Sequence, residues 1–358
     1  MPSKKRSRQL PIRETPAALG FSMPAEWAKH ESTWLSWPKN PLTFPSEIVS
    51  RVEGAYVEMI EALAHGERVD LLVDDGRTED RVKSKLAAKN VRFHTIKSAD
   101  VWIRDYGPIF VRRKDRGSAS VAATKWRFNS WGGKYDDLLP DDATGDEVAR
   151  STGLKTFETG VVLEGGSIDV NGRGSLLTTE QCLLNENRNP GLGKPQLEML
   201  LHDYLGVSSI VWLGKGIEGD DTDGHVDDVA RFVDENTVVC MTERDLGDGN
   251  SRVLRRNEEL LKKHRDGQGR RLEVVPISMP RQVAAEGARL PASYANFYAG
   301  NSTVLVPVFG DARRDSAALE TLSEFFHGRK VVPVDCRELV YGFGGIHCVT
   351  QQQPAPVA

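Results

Sequence analysis

Near its C-terminal end the chain carries a cysteine in a polar, glycine-rich setting, Gly344-Gly345-Ile346-His347-Cys348-Val349-Thr350-Gln351-Gln352-Gln353. A glycine pair beside a thiol permits a tight backbone approach, often to a ligand. A nucleophilic cysteine needs thiolate character, which a histidine or another nearby cation supplies. His225, in Gly224-His225-Val226-Asp227, is the candidate histidine. Asp105, after Arg104, and Glu164, before Gly165-Gly166, are the candidate carboxylates together with Asp227. On a strand His225 and Asp227 would share a face, suiting an acid/base beside an anionic clamp, whereas Arg104 and Asp105 would face opposite ways. Each motif also has a bland reading. Cys348 would be an inert buried thiol, Arg104-Asp105 a structural ion pair, and Glu164 an ordinary exit from strand to turn.

The segment Gly219 to Asp228 holds five aspartates, at 220, 221, 223, 227 and 228, around His225. Such a cluster is costly unless cations neutralise it. One reading is a calcium loop, but no acid stands at Gly219 or Ala230, where that loop needs one. The other is a site for a cationic substrate. One cysteine, one histidine and an excess of carboxylates suit a planar guanidinium, which carboxylates hold in bidentate fashion. Phe128 to Gly133 and Ser293 to Tyr298, the latter containing Asn296, are polar-aromatic segments that read as core rim or as pocket wall.

The 358 residues are 39% hydrophobic and 27% charged, an ordinary globular composition, and the net charge of −4 offers no basic field for nucleic acid. Residues 1–18, opening on a basic cluster, read as a flexible tail and 19–358 as a single catalytic domain. No apolar run is long enough to span a membrane. Cys182, Cys240, Cys336 and Cys348 are widely spaced, which points to a reduced, cytoplasmic protein and, by spacing, away from a zinc cluster. There is no phosphate loop and no dinucleotide fingerprint, so no cofactor is expected.

The elements that must position these residues alternate strand and helix. Apolar spacing predicts a helix over 46–65, a strand over 69–73, a helix-permissive stretch over 77–89 and a strand over 91–96. It predicts a helix over 195–205, a strand over 209–213, a hairpin over 230–240, then helix 253–264 and strand 271–276. A strand, helix and strand follow over 303–308, 316–326 and 330–334. Asp115 to Ser120 and Lys134 to Glu147 read as loops. Intervals of 59, 61, 71 and 52 residues separate Asp105, Glu164, His225, Asn296 and Cys348. A quasi-period of that length, with one polar loop per unit, suggests structural repeats around a central axis.

Taken together, the segments resemble agmatine deiminases and the neighbouring bacterial-type peptidylarginine deiminases of the guanidine-modifying superfamily. The matching stretches are Met23 to Trp27, Trp34 to Pro38, Trp102 to Pro108, Phe128 to Gly133, Leu163 to Ile168, Leu177 to Glu180, Asn185 to Pro190, His225 to Asp228, Ser293 to Tyr298 and Gly344 to Pro354. The resemblance implies a pentein-like α/β fold, a five-bladed α/β propeller of ββαβ units. It implies Cys348 as nucleophile, His225 as general acid/base, and Asp105, Glu164 and Asp227 as acids around the guanidinium. Trp102, Asp221, Asn296 and Gly345 are the implied substrate contacts, with Asp221 meeting a terminal amine. The implied reaction hydrolyses agmatine to N-carbamoylputrescine and ammonia for putrescine biosynthesis, through a Cys-thiouronium intermediate, without metal or cofactor. Its partner is the small cationic guanidine; a homo-oligomer is left open. Peptidylarginine or another guanidine is the alternative substrate, and a metal-dependent hydrolase built on His225 and the aspartates, or a non-catalytic binding protein, is the remote one. Three positions depart from the family pattern: Asn40 to Pro45, Asp223 where asparagine is common, and Phe343 where glycine is common.

Overall fold

The computed structural model describes residues 14–114, 120–266 and 269–357. Among them, five sheets repeat one plan: a first strand antiparallel to a second, then a helix, then a third strand parallel to the second. Parallel neighbours require a crossover, and the helix supplies it. The second to fifth sheets take their strands in chain order, beginning at Ile109–Arg113, Asp169–Val170, Ala230–Phe232 and Tyr298–Ala299. The first is closed from the far end of the chain: Gln351–Pro354 pairs antiparallel with His30–Ser36, and Arg68–Val73 then adds in parallel after helix Ser46–Ala64. Val91–Thr95 extends that sheet to four strands.

Burial explains the elements. Helix Ser46–Ala64 turns Val52, Tyr56, Met59, Ile60 and Leu63 inward at helical spacing. The second strand of each sheet is covered on both faces, so Thr237–Thr242 buries five consecutive residues rather than alternating. The glutamine run forms an edge strand because a buried cation needs it: Arg104 Nη1 donates to Gln351 Oε1 at 2.8 Å and to Gln352 Oε1 at 2.7 Å.

The period in the sequence now has a structural meaning. Asp105, Glu164, His225 with Asp227, Asn296 and Cys348 each lie in the segment that leads into the first strand of one sheet. These five segments touch in cyclic order. Arg104 N donates to Cys348 O, Gly166 N to Asp105 Oδ1, and Asn296 Nδ2 to both Asp228 Oδ1 and Cys348 Sγ, while Glu164 Oε2 faces His225 Nε2.

Several expectations need correction. Lys134 to Glu147 is not a loop throughout: Asp141–Ser151 is a helix, hidden in the sequence by its polar start. Asp141 opens that helix because its carboxylate accepts from Ala99 N and Asp100 N, a partnership no local pattern reveals. In the helix-permissive stretch 77–89 the helix Gly76–Lys83 ends six residues early. Of the expected tail, residues 1–13 lie outside the described residues, but Ala17–Leu19 is a 3-10 turn packed against helix Lys194–Leu205. Residues 115–119 of the other expected loop, Asp115 to Ser120, are also outside the described residues, and a strand begins at Ser120. No helix among the described residues is long and apolar enough to cross a membrane.

Candidate active site

Cys348 is buried in the turn before the C-terminal strand and lines a cavity of about 430 Å³. Asn296 holds its sulfur: Nδ2 donates to Sγ at 3.3 Å while Oδ1 accepts from His347 N at 2.8 Å. The glycine pair makes its close approaches to the protein itself. A Cβ at Gly344 would stand 2.3 Å from the Trp102 ring, and one at Gly345 would stand 2.5 Å from Asn296 Oδ1. Gly344 and Trp102 line the cavity. Asn296 and Gly345, expected as substrate contacts, are not among the residues that line the cavity; they face the thiol and each other.

Residues Ile103–Tyr106 form a single helical turn, not a strand, so the expected opposition of Arg104 and Asp105 arises from helical geometry. Arg104 is fully committed to the C-terminal segment and to Glu26. Asp105 faces the cavity, held by Gly166 N on Oδ1 at 3.0 Å and by Trp131 Nε1 on Oδ2 at 2.9 Å. Burial, with Asp227 and Glu164 nearby, pushes its carboxyl up to about 6 against the pull of His225. Gly166 must be glycine, since a Cβ there would meet His225 Nδ1 at 2.6 Å and Asp105 Oδ1 at 2.9 Å.

His225 precedes the 3-10 turn Val226–Asp228 and Asp227 lies within it, so the two do not share a strand face. His225 Nδ1 lies 3.8 Å from Asp105 Oδ1, and its Nε2 lies 3.9 Å from Glu164 Oε2. Burial opposes its charge, but Asp105, Cys182 and Glu164 outweigh that and hold the imidazole well above its usual range. Asp227 Oδ2 faces His347 Nδ1 at 2.7 Å, and its Oδ1 is buried without a partner. Despite burial, His347 and His225 keep Asp227 below the ordinary carboxylate range, while burial and Asp227 push its neighbour Asp228 well up. Glu164 sits one layer back. Its Oε1 accepts from Arg188 Nε at 2.6 Å, and Arg188 with His225 lowers its carboxyl in spite of burial. Cys348 is pushed well above the ordinary thiol range by burial, then by Asp227, Asp228 and Asp105. An added cation beside these carboxylates would bring it down.

The acidic loop is not the free anionic patch the sequence suggested. Asp220 accepts from Thr222 and from His225 N. Asp223 is engaged by Arg188, Asn187 and Lys134. Asp221 alone of the five aspartates in this loop lines the cavity, where Tyr135 OH donates to its Oδ2 at 2.5 Å. Burial raises its carboxyl to about 6. Among the described residues, the potential ligand group is Glu164, Cys182 and His225, with none of the aspartates in it, so the metal reading built on His225 and that loop loses its ligands.

Sequence reasoning gave no role to His347, Glu26, Arg188, Arg231, Trp131, Tyr135 or Cys182. His347 links Asp227 to Glu26, whose Oε2 faces Nε2 at 2.9 Å, and Arg231 joins Glu26 to Asp169. Adjacency to Cys348 was the available signal for His347, the polar-aromatic stretch Phe128 to Gly133 for Trp131, and the resembling stretches Met23 to Trp27 and Asn185 to Pro190 for Glu26 and Arg188; Arg231, Tyr135 and Cys182 carried none. Of the three departures from the family pattern, Asp223 lies outside the lining, engaged by Arg188, Asn187 and Lys134, but the other two reach the cavity. Leu42, Thr43 and Phe343 line it, and Phe343 takes a left-handed φ of 68°, a conformation that favours glycine.

Residues 22–354 match the family described as Porphyromonas-type peptidyl-arginine deiminase. The chain is 38% identical to the agmatine deiminase of Ectopseudomonas mendocina, covering 96% of this chain and 98% of that one. It is also 38% identical to the agmatine deiminase of Pseudomonas aeruginosa, with the same coverage. Among solved structures, the agmatine deiminase of Enterococcus faecalis superposes with a TM-score of 0.89 at 33% identity, covering 97% of this chain and 99% of that chain. A substrate-bound agmatine deiminase of C. jejuni superposes with a TM-score of 0.85 at 31% identity, covering 94% and 97%.

Proposed function

The chain belongs to the Porphyromonas-type peptidyl-arginine deiminase family, and from that premise we propose that it is an agmatine deiminase, a hydrolase of C–N bonds in linear amidines that yields N-carbamoylputrescine and ammonia. One observation carries the substrate. The cavity is lined by Asp105, Asp137, Asp221 and Glu286, and by no lysine, arginine or histidine among the described residues. Agmatine brings a guanidinium and an ammonium and no carboxylate. Arginine would bring an anion with nothing to receive it. Arg104 is committed elsewhere, and Arg127 pairs with Asp142. A peptidyl arginine leaves Asp221 without a charge to meet.

In the mechanism we favour, Asp105 and the free Oδ1 of Asp227 hold the guanidinium against Cys348. The bound cation offsets the carboxylates that keep the thiol protonated, and the thiol gives its proton to solvent as the substrate arrives, leaving the thiolate. Sulfur attacks the guanidinium carbon. His225, held in its cationic form, gives its proton to the departing nitrogen, which leaves as ammonia. The neutral imidazole then takes a proton from water, whose oxygen attacks the thiouronium carbon. The C–S bond breaks as the carbonyl forms and the added hydroxyl gives its proton to solvent, and the thiolate and the ureido product are released. Asn296 and His347 are positioning residues, acting through Cys348 and Asp227. The cyclic contacts of the five loops support reading the sheets as blades of a single propeller domain, and four free, buried cysteines suit a cytoplasmic location.

The test is ammonia release from agmatine, arginine, methylguanidine and an arginyl peptide. Agmatine should exceed arginine in kcat/KM by about 100-fold or more, the worth of leaving a buried polar group unpaired. Cys348→Ala should abolish turnover. Equal turnover of arginine or the peptide would overturn the substrate and leave the thiol chemistry standing.

A further inference from the structure

Cys182 has no part in the chemistry above, yet the fold brings it to the catalytic histidine. It lies in the turn Glu180–Leu183, whose cap is Thr179 Oγ1 accepting from Cys182 N. Its sulfur, a ring nitrogen of His225 and a Glu164 carboxylate oxygen all lie within 4.8 Å of one another, with His225 Nε2 3.9 Å from Glu164 Oε2, and all three residues are buried. Two of the three have an unsatisfied atom aimed into the group. His225 Nε2 and Glu164 Oε2 are both buried without a hydrogen-bond partner. A buried polar atom without a partner is normally paired or has a reason not to be.

We propose that Cys182 Sγ, His225 Nε2 and Glu164 Oε2 form a three-ligand site for a borderline-soft divalent cation, zinc by its chemistry, whose occupation takes His225 out of catalysis. Thiolate, imidazole and carboxylate are the donor set that zinc prefers, with the fourth position left to water. Zinc bonds of about 2.0–2.3 Å put tetrahedral ligands roughly 3.3–3.8 Å apart. The histidine and glutamate atoms already lie 3.9 Å apart, so shifts of under about 1 Å would complete the geometry.

The surroundings suit the role. Arg188 takes Glu164 Oε1 and leaves Oε2 free, and Asp105 Oδ1 stands 3.8 Å from the other nitrogen of His225. A carboxylate behind a metal-bound histidine fixes its ring and tautomer. The acidic, cation-free cavity lining draws divalent cations toward Asp105 and so toward the histidine. Binding replaces the thiol proton of Cys182 and the imidazolium proton of His225 by one metal, releasing both protons to solvent. Two anionic ligands then neutralise the zinc charge.

The test uses the full chain with zinc or cobalt alone. Zinc should bind at one equivalent with proton release and reversibly stop ammonia release. Cobalt should give a thiolate-to-metal charge-transfer band. Cys348→Ala should keep that band. Cys182→Ser should lose it and bind zinc about 100-fold more weakly. Loss of the band in Cys348→Ala with retention in Cys182→Ser would put the metal on the nucleophile and overturn the proposal, as would no binding at one equivalent. Should Cys182→Ser fail to fold, X-ray absorption on zinc-loaded Cys348→Ala decides. One sulfur at about 2.3 Å supports the site, and none refutes it. The inference rests on the proposed reaction only for the inhibition readout. The spectroscopic readouts stand if the substrate assignment fails.

Discussion

Replacing Asp221 with asparagine removes the one charge from the acidic loop that lines the cavity while keeping its shape. Two point charges about 4 Å apart at an effective dielectric of about 20 would interact by ~4 kcal/mol, an upper bound at a hydrated cavity mouth. A charge-assisted hydrogen bond contributes about 1.5–3 kcal/mol, the more realistic figure. Asp221 titrates at about 6, so at pH 8 the full charge is present to be lost. Agmatine should therefore lose about 10- to 150-fold in kcat/KM, mostly through KM, because the ammonium is remote from the reacting carbon. Butylguanidine has the same guanidinium and chain but no ammonium, and it should be nearly indifferent to the change. Steady-state ammonia release with both substrates on both proteins completes the cycle. An equal loss on butylguanidine would make Asp221 a structural residue paired with Tyr135, and no loss on agmatine would remove it from recognition.

Asp105 and Asp221 both titrate at about 6 in the free protein. Each loses negative charge as pH falls, so kcat/KM for agmatine should drop below about pH 6 with a slope approaching two; a profile flat to pH 5 contradicts the assignment. In Asp221→Asn the slope should fall to one. Arg188→Gln leaves Glu164 as a buried, uncompensated carboxylate and should cost about 3–5 kcal/mol in urea unfolding, partly recovered by adding Glu164→Gln; a cost below about 1 kcal/mol would mean water or His225 compensates fully. Phe343→Gly removes a left-handed non-glycine worth roughly 1 kcal/mol of strain, so unfolding stability should hold or rise, and a loss above about 1 kcal/mol would assign Phe343 a packing role.

Chemistry and period were legible in the sequence because both are local. Gly-Gly-x-His-Cys, Gly-His-x-Asp and Glu-Gly-Gly each sit within a few residues, and each precedes the first strand of one unit. Helix Ser46–Ala64 was readable because burial on one face leaves a period, and the hairpin from Ala230 to Thr242 because two apolar runs flank a polar turn. The helix Asp141–Ser151 was not, because its start is fixed by amides at Ala99 and Asp100 rather than by its own residues.

What each charge does was decided only in three dimensions. Nothing local says that Arg104 is spent on glutamines about 250 positions away, that Glu164 turns one oxygen to Arg188, or that Lys134, Arg188 and Tyr135 divide the acidic loop and leave Asp221 to the cavity. Nor does cysteine spacing along the chain reveal that Cys182 meets His225 and Glu164. A buried charge takes whichever partner the packed units bring within hydrogen-bond reach. The sequence determines the inventory of groups and their places in each unit, while the closure of the units on one another determines which groups are paired and which face the substrate.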